Sequence, residues 1–93
     1  MQNGEMKTYI KTVQFSNTLT VPSGNSGMAT IPINTPDGYK PVLAVITDTR
    51  QAKVLPRACW ISSNSAVTIY VDNLSGTSYS DAIFINVLFI RQP

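Results

Sequence analysis

The sequence predicts an all-β domain: an antiparallel β-sandwich, jelly-roll-like or Greek-key, of about seven or eight short strands with no significant helix. Three observations carry that expectation. Short runs rich in Val, Ile, Thr and aromatic residues alternate in polarity and are broken by Gly, Pro, Asn, Asp and Ser about every ten residues. No stretch repeats its apolar residues at helical spacing for long enough to hold a helix of useful length. The closing segment is apolar on both sides: Ile83, Ile85, Val87 and Phe89 point one way, while Ala82, Phe84, Leu88 and Ile90 point the other, interrupted by Asn86. The immunoglobulin version is disfavoured because its pair of cysteines flanking a tryptophan is missing.

Taken in order, positions 1–8 form a polar N-terminal segment and 9–93 a single β-sandwich domain. Tyr9, Val13 and Phe15 alternate with Ile10, Thr12 and Gln14 as a first strand, which Ser16-Asn17 ends in a turn. Thr18 to Val21 is a short strand stopped by Pro22, and Ser23 to Gly27 is a loop of residues that tolerate positive φ. Met28 to Ile33 follows, and Pro32 inside it lacks a backbone donor, which argues for an edge strand. Thr35-Pro36-Asp37-Gly38-Tyr39 is a turn with Pro at its second position, leading into the strand Pro41 to Thr47. After polar Asp48 to Gln51 come a brief apolar segment, Val54 to Pro56, and a strand from Arg57 to Ser62. Ser63-Asn64-Ser65 then makes a hairpin turn into Val67 to Val71. Asn73 to Ser80 reads as a longer polar loop before the closing strand.

A strand buried on both faces needs a second layer of cover, whereas an antiparallel sheet of a soluble monomer normally shows one face to water. A domain of 93 residues buries only about two-thirds of the surface its unfolded chain exposes. The lone Cys59 closes no intrachain disulfide, and without histidine there is no structural zinc set, so association between chains is the remaining common reinforcement. Phe84, Leu88 and Ile90 are therefore the expected oligomer interface. The alternative is cover by the protein's own loops or N-terminal segment. Cys59, between Ala58 and Trp60-Ile61, reads as a small buried hydrophobe rather than a reactive thiol.

The formal charge of +2 is spread without runs, which gives little support to a nucleic-acid surface, although Arg50, Lys53 and Arg57 fall in one stretch. No apolar core follows the first residues as in a secretory signal, and no segment is long enough to span a bilayer as a helix. The expectation is a protein held inside the producing cell until release, or a piece of a longer chain.

The succession Ala29-Thr30-Ile31-Pro32-Ile33, Pro36-Asp37-Gly38-Tyr39-Lys40-Pro41-Val42, Cys59-Trp60-Ile61, Val67-Thr68-Ile69-Tyr70-Val71 and the long closing strand resembles the C-terminal head or tip domain of bacteriophage and prophage tail fibre and receptor-binding proteins. The resemblance is one of pattern, covers about Lys11 to Arg91, and brings no shared set of binding residues. It implies an antiparallel sandwich, usually a homotrimer, that attaches the virion to surface glycans of the host. It also implies assembly in the host cytoplasm and release by lysis, which agrees with the absence of disulfides.

Sites must then come from chemistry. Without histidine no Ser-His-Asp or Cys-His arrangement can be built, and Asp48, Asp72 and Asp81 each border a strand, where aspartate commonly serves a turn. The chain is expected to be non-enzymatic, with no cofactor and no metal. Sugar binding needs an aromatic face with amides, carboxylates and guanidinium groups around it. Tyr79 in the long polar loop is the leading stacking platform, with Asp72, Asn73 and Tyr70 as the accompanying carbohydrate ligands. Trp60 reads as a core or interface residue, and Asn64, at the other end of the same strand, lies about 20 Å from Asp72. Two other readings stand beside this one: a purely structural fibre cap, and a single-stranded nucleic-acid binder using Tyr39, Tyr70, Lys40 and Arg57.

Overall fold

The computed structural model describes residues 9–92, so the polar segment expected over 1–8 lies outside the described residues. Among these the fold is all-β, without helix: β1 (Ile10–Val21), β2 (Ser26–Pro32), β3 (Tyr39–Asp48), β4 (Val54–Ser63), β5 (Ala66–Asn73) and β6 (Tyr79–Arg91). They form two antiparallel three-stranded sheets, ordered β1-β6-β3 and β2-β5-β4.

Six strands replace the expected seven or eight because two local breaks do not break the ladder. Ser16 and Asn17, which look like a turn in isolation, pair with Phe84 and Ile83, and β1 runs on against the long β6 through Val21 opposite Tyr79. Likewise Val54 to Pro56 joins Arg57 to Ser63 in one strand, with the irregularity absorbed as a bulge between Pro56 and Ala58. The prolines show why the order is what it is. Pro32, Pro41 and Pro56 fall in β2, β3 and β4, all edge strands, while β5 and β6, which pair on both sides, contain none.

Alternation places the core. Val67, Ile69 and Val71 of β5 and Ile83, Ile85, Val87 and Phe89 of β6 are buried and join Val21, Ile31, Ile33, Val54 and Tyr79 in one cluster drawn from both sheets. Phe15 meets Phe89 edge to face, with ring centroids 6.3 Å apart.

One end of the sheets carries Tyr9, whose carbonyl accepts from the Arg91 amide at 2.8 Å, and the turn before β3. In that turn Tyr39 N donates to Pro36 O at 3.0 Å and Gly38 has φ 80°. Pro36 therefore occupies the first turn position rather than the expected second, with glycine third, where positive φ is required. The opposite end is built from the segments 22–25, 49–53 and 74–78. Their backbones are tied together: Gly24 N donates to Asn73 O (2.9 Å), Asn73 N to Asn25 O (2.9 Å) and Leu74 N to Lys53 O (2.8 Å).

Candidate functional site

Of the expected ligand residues, Tyr79 and Asn73 are placed differently from the sequence reading. The loop is shorter than expected, because β6 begins at Tyr79. Tyr79 keeps the parity of Ile83 and Ile85, so its ring turns into the core and is 5% exposed. Its hydroxyl donates to Thr49 O at 2.5 Å and lies 3.2 Å from Ala82 O. Burial pushes the phenol pKa up, the Asp81 and Asp48 carboxylates add to the rise, and Arg50 opposes it. No ring face is left for a sugar to stack on.

Asn73 continues the inward set of β5 and is 0% exposed. Its Nδ2 donates to Val21 O (2.9 Å) and Thr77 O (3.0 Å), and its Oδ1 accepts from Ser75 N (3.0 Å) and Ser75 Oγ (2.7 Å). The two residues hold the loop end in shape instead of displaying a surface. Asn64 lies at the other end of the sheet, where Thr35 Oγ1 donates to its carbonyl, consistent with its expected separation from Asp72.

Tyr70 and Asp72 do face outward, on β5, and the structure adds partners that the sequence reading did not join to them. Arg57 is the extra residue of the β4 bulge, and its guanidinium lies 5.0 Å from the Tyr70 ring centroid. Its Nη1 is 3.7 Å from Asp72 Oδ1 and donates to Ser26 Oγ at 3.3 Å, while Ser26 Oγ donates to the same Asp72 oxygen at 2.5 Å. Trp60, expected in a core or interface, is 44% exposed on this face, opposite Thr68. Thr68 is only 6% exposed although it points outward, and its hydroxyl pairs with Thr30 Oγ1 at 3.3 Å. Met28 borders Tyr70 on the β2 side. The outcome is a flat platform: an open indole, a tyrosine diagonal to it about 7–8 Å away, a hydroxyl pair, and a cation and carboxylate bound to each other. Flat aromatic surfaces with surrounding hydroxyl, carboxylate and guanidinium groups are suited to stacking against a sugar ring and exchanging hydrogen bonds with its hydroxyls.

Among the described residues, two open clefts lie along the seam where the edges of β3 and β4 face each other, one of them beside Arg57. One, of 320 Å³, is bordered by Thr47, Thr49 and Gln51; the other, of 410 Å³, by Ala44, Ile46, Pro56 and Cys59. Burial pushes the Cys59 thiol pKa up, which lowers its thiolate fraction and agrees with an inert residue.

On the opposite sheet, Phe84, Leu88 and Ile90 turn away from the core and are half-buried. Their flanks account for that partial cover: Leu88 lies between Thr12 and Leu43, and Ile90 between Ile10 and Lys40. Phe84 carries the Arg50 guanidinium 5.8 Å from its centroid, with Arg50 Nε 3.7 Å from Asp81. The neighbouring Leu43 and Val45 are 59% and 51% exposed, so no loop among the described residues covers them; the N-terminal segment expected as alternative cover lies outside those residues. Compared with family models, curated proteins and solved structures, the chain matches none.

Proposed function

We propose that the chain is the receptor-binding head of a bacteriophage or prophage tail fibre, a β-sandwich that attaches the virion to host cell-surface carbohydrate as an oligomer and catalyses nothing. The observation that carries the reading is the platform on β2-β5-β4, where Trp60 and Tyr70 stand beside the Arg57, Asp72 and Ser26 network. Asp72 compensates the charge of Arg57 there, so the platform favours a neutral saccharide over an anionic wall polymer. A shallow site of this kind binds weakly alone, and an oligomer presenting several copies gains attachment through effective concentration.

A glycan array and a cell-attachment assay test this with Trp60→Ala and Arg57→Ala, each checked for an unchanged melting temperature. Stacking on an aromatic and charge-assisted hydrogen bonds each contribute about 1–3 kcal/mol, so either variant is expected to lower affinity about tenfold or more. Attachment unchanged in both would remove the platform as the binding site. Attachment absent from the parent chain as well would favour the fibre-capping reading.

A further inference from the structure

We infer that the outer face of β1-β6-β3 packs against the same face of a second copy across a two-fold axis lying between the sheets and running across the strands. β3 of one chain then crosses over β3 of the other in the opposite direction. The inference rests on the oligomeric part of the function proposed above and specifies its geometry.

Two independent asymmetries of the face select this arrangement. The first runs from edge to edge. On the β3 side the outward residues are Leu43 and Val45, and on β6 they are Ala82, Phe84, Leu88 and Ile90, interrupted by Asn86; on β1 the outward set opposite β6 is Thr12, Gln14, Ser16 and Thr18, with Ile10 apolar only at the end. Apolar surface gains most when it covers apolar surface. A two-fold axis running along the strands would lay β3 of one chain over the hydroxyl-rich β1 of the other, whereas an axis across the strands lays β3 over β3 and β6 over β6.

The second asymmetry runs from end to end. Lys40 stands at one end of the face, opposite Ile90; at the other, Asp48, opposite Phe84, stands with the Arg50–Asp81 pair, whose guanidinium lies over the Phe84 ring, so that end carries two carboxylates to one cation. Reversing one copy brings each Lys40 to the Asp48 of its mate. The midpoint falls at Val87, so Leu43 of one chain faces Val45 of the other. The three-fold assembly that the phage resemblance implies, were its axis to run along the strands, would gather like charges at each end and leave the polarity unused. Pairing uses the face and not the free edge of β3, because Pro41 and the bulge at Val42 interrupt the row of donors and acceptors that edge-to-edge pairing needs.

Light scattering on the full chain over a range of concentrations tests the inference. The expected mass is two chains, falling to one on dilution, with Val45→Glu giving one chain throughout. Lys40→Glu and Asp48→Lys are each expected to weaken pairing about tenfold, since each contact occurs twice, and the double exchange to restore it. Asp48 also accepts a hydrogen bond from Arg50 N (2.7 Å); should Asp48→Lys not fold, Thr47→Lys places the cation one residue away. A mass of three chains, a single chain at every concentration, an unaffected Val45→Glu variant, or a double exchange that restores nothing would each overturn the pairing. A single chain that still binds glycan through Trp60 sinks this inference and leaves the binding proposal standing; a two-chain species blind to glycan does the reverse.

Discussion

Asn73→Ala is the substitution with the largest expected effect for the fewest atoms removed. The amide closes the loop end by four hydrogen bonds, two given to Val21 O and Thr77 O and two received from Ser75 N and Oγ. A net hydrogen bond contributes about 0.5–1.5 kcal/mol, which sets an upper range of about 2–6 kcal/mol for the set. Thr77 is exposed and Ser75 half-buried, so water can replace part of what they lose; Val21 is fully buried, so water does not replace the bond its carbonyl gives up. The expected cost is therefore about 2–4 kcal/mol. For a domain of this size each kcal/mol lowers the melting temperature by about 4–8 °C, giving a drop of about 10–30 °C by circular dichroism or calorimetry. Because the backbone bonds Asn73 N to Asn25 O and Gly24 N to Asn73 O remain, the sheets should still form at low temperature. A melting temperature within about 3 °C of the parent would refute the assignment of Asn73 as the tie between the loops.

Two further outcomes follow from packing and from ionisation. A Cβ on Gly27 would run into Val21 Cγ2, so Gly27→Ala is expected to destabilise by about 1–3 kcal/mol by overpacking, read as a lowered urea midpoint, whereas Gly76→Ala, with open space around it, should leave the midpoint unchanged. The raised pKa of Tyr79 means the folded chain holds that proton more tightly than the unfolded chain, whose tyrosine titrates near 10.0. Its contribution to stability is complete below that value and is lost as pH rises through the folded pKa. Thermal melts across the alkaline range should fall more steeply in the parent than in Tyr79→Phe, and parallel curves would contradict the burial of the hydroxyl.

Much of the fold was legible because a strand states its own parity. The alternation around Val67, Ile69 and Val71, and around Ile83 to Phe89, identified the buried sets of both central strands, and proline correctly marked β2 as an edge. The same rule, carried two steps further, would have found the residues that were misplaced. Asn73 lies two residues beyond Val71, and Tyr79 four before Ile83, so both continue inward sets; their polar neighbours Asp72, Ser80 and Asp81 disguised the continuation as loop. Turn-forming Ser16-Asn17 failed as a break because strand continuation there is decided by the partner, Phe84 and Ile83, and not by local preference. Arg57 could not be joined to Tyr70 and Asp72 from sequence, since the bulge that aims it across β5 shifts the register in a way no residue type announces.

The two outward faces also constrain one another. The platform lies on β2-β5-β4 and the apolar face on β1-β6-β3, with the shared core between them, so covering the second leaves the first accessible. Face-to-face pairing, however, turns the two platforms to opposite sides of the assembly. Effective concentration operates only where both sites can be filled at once, and two opposed platforms cannot both lie against one flat surface. They can be filled together inside a brush of polymer chains that surrounds the domain. The pairing and the platform are thus compatible with attachment to a deep polysaccharide layer, and much less with a planar array of short headgroups.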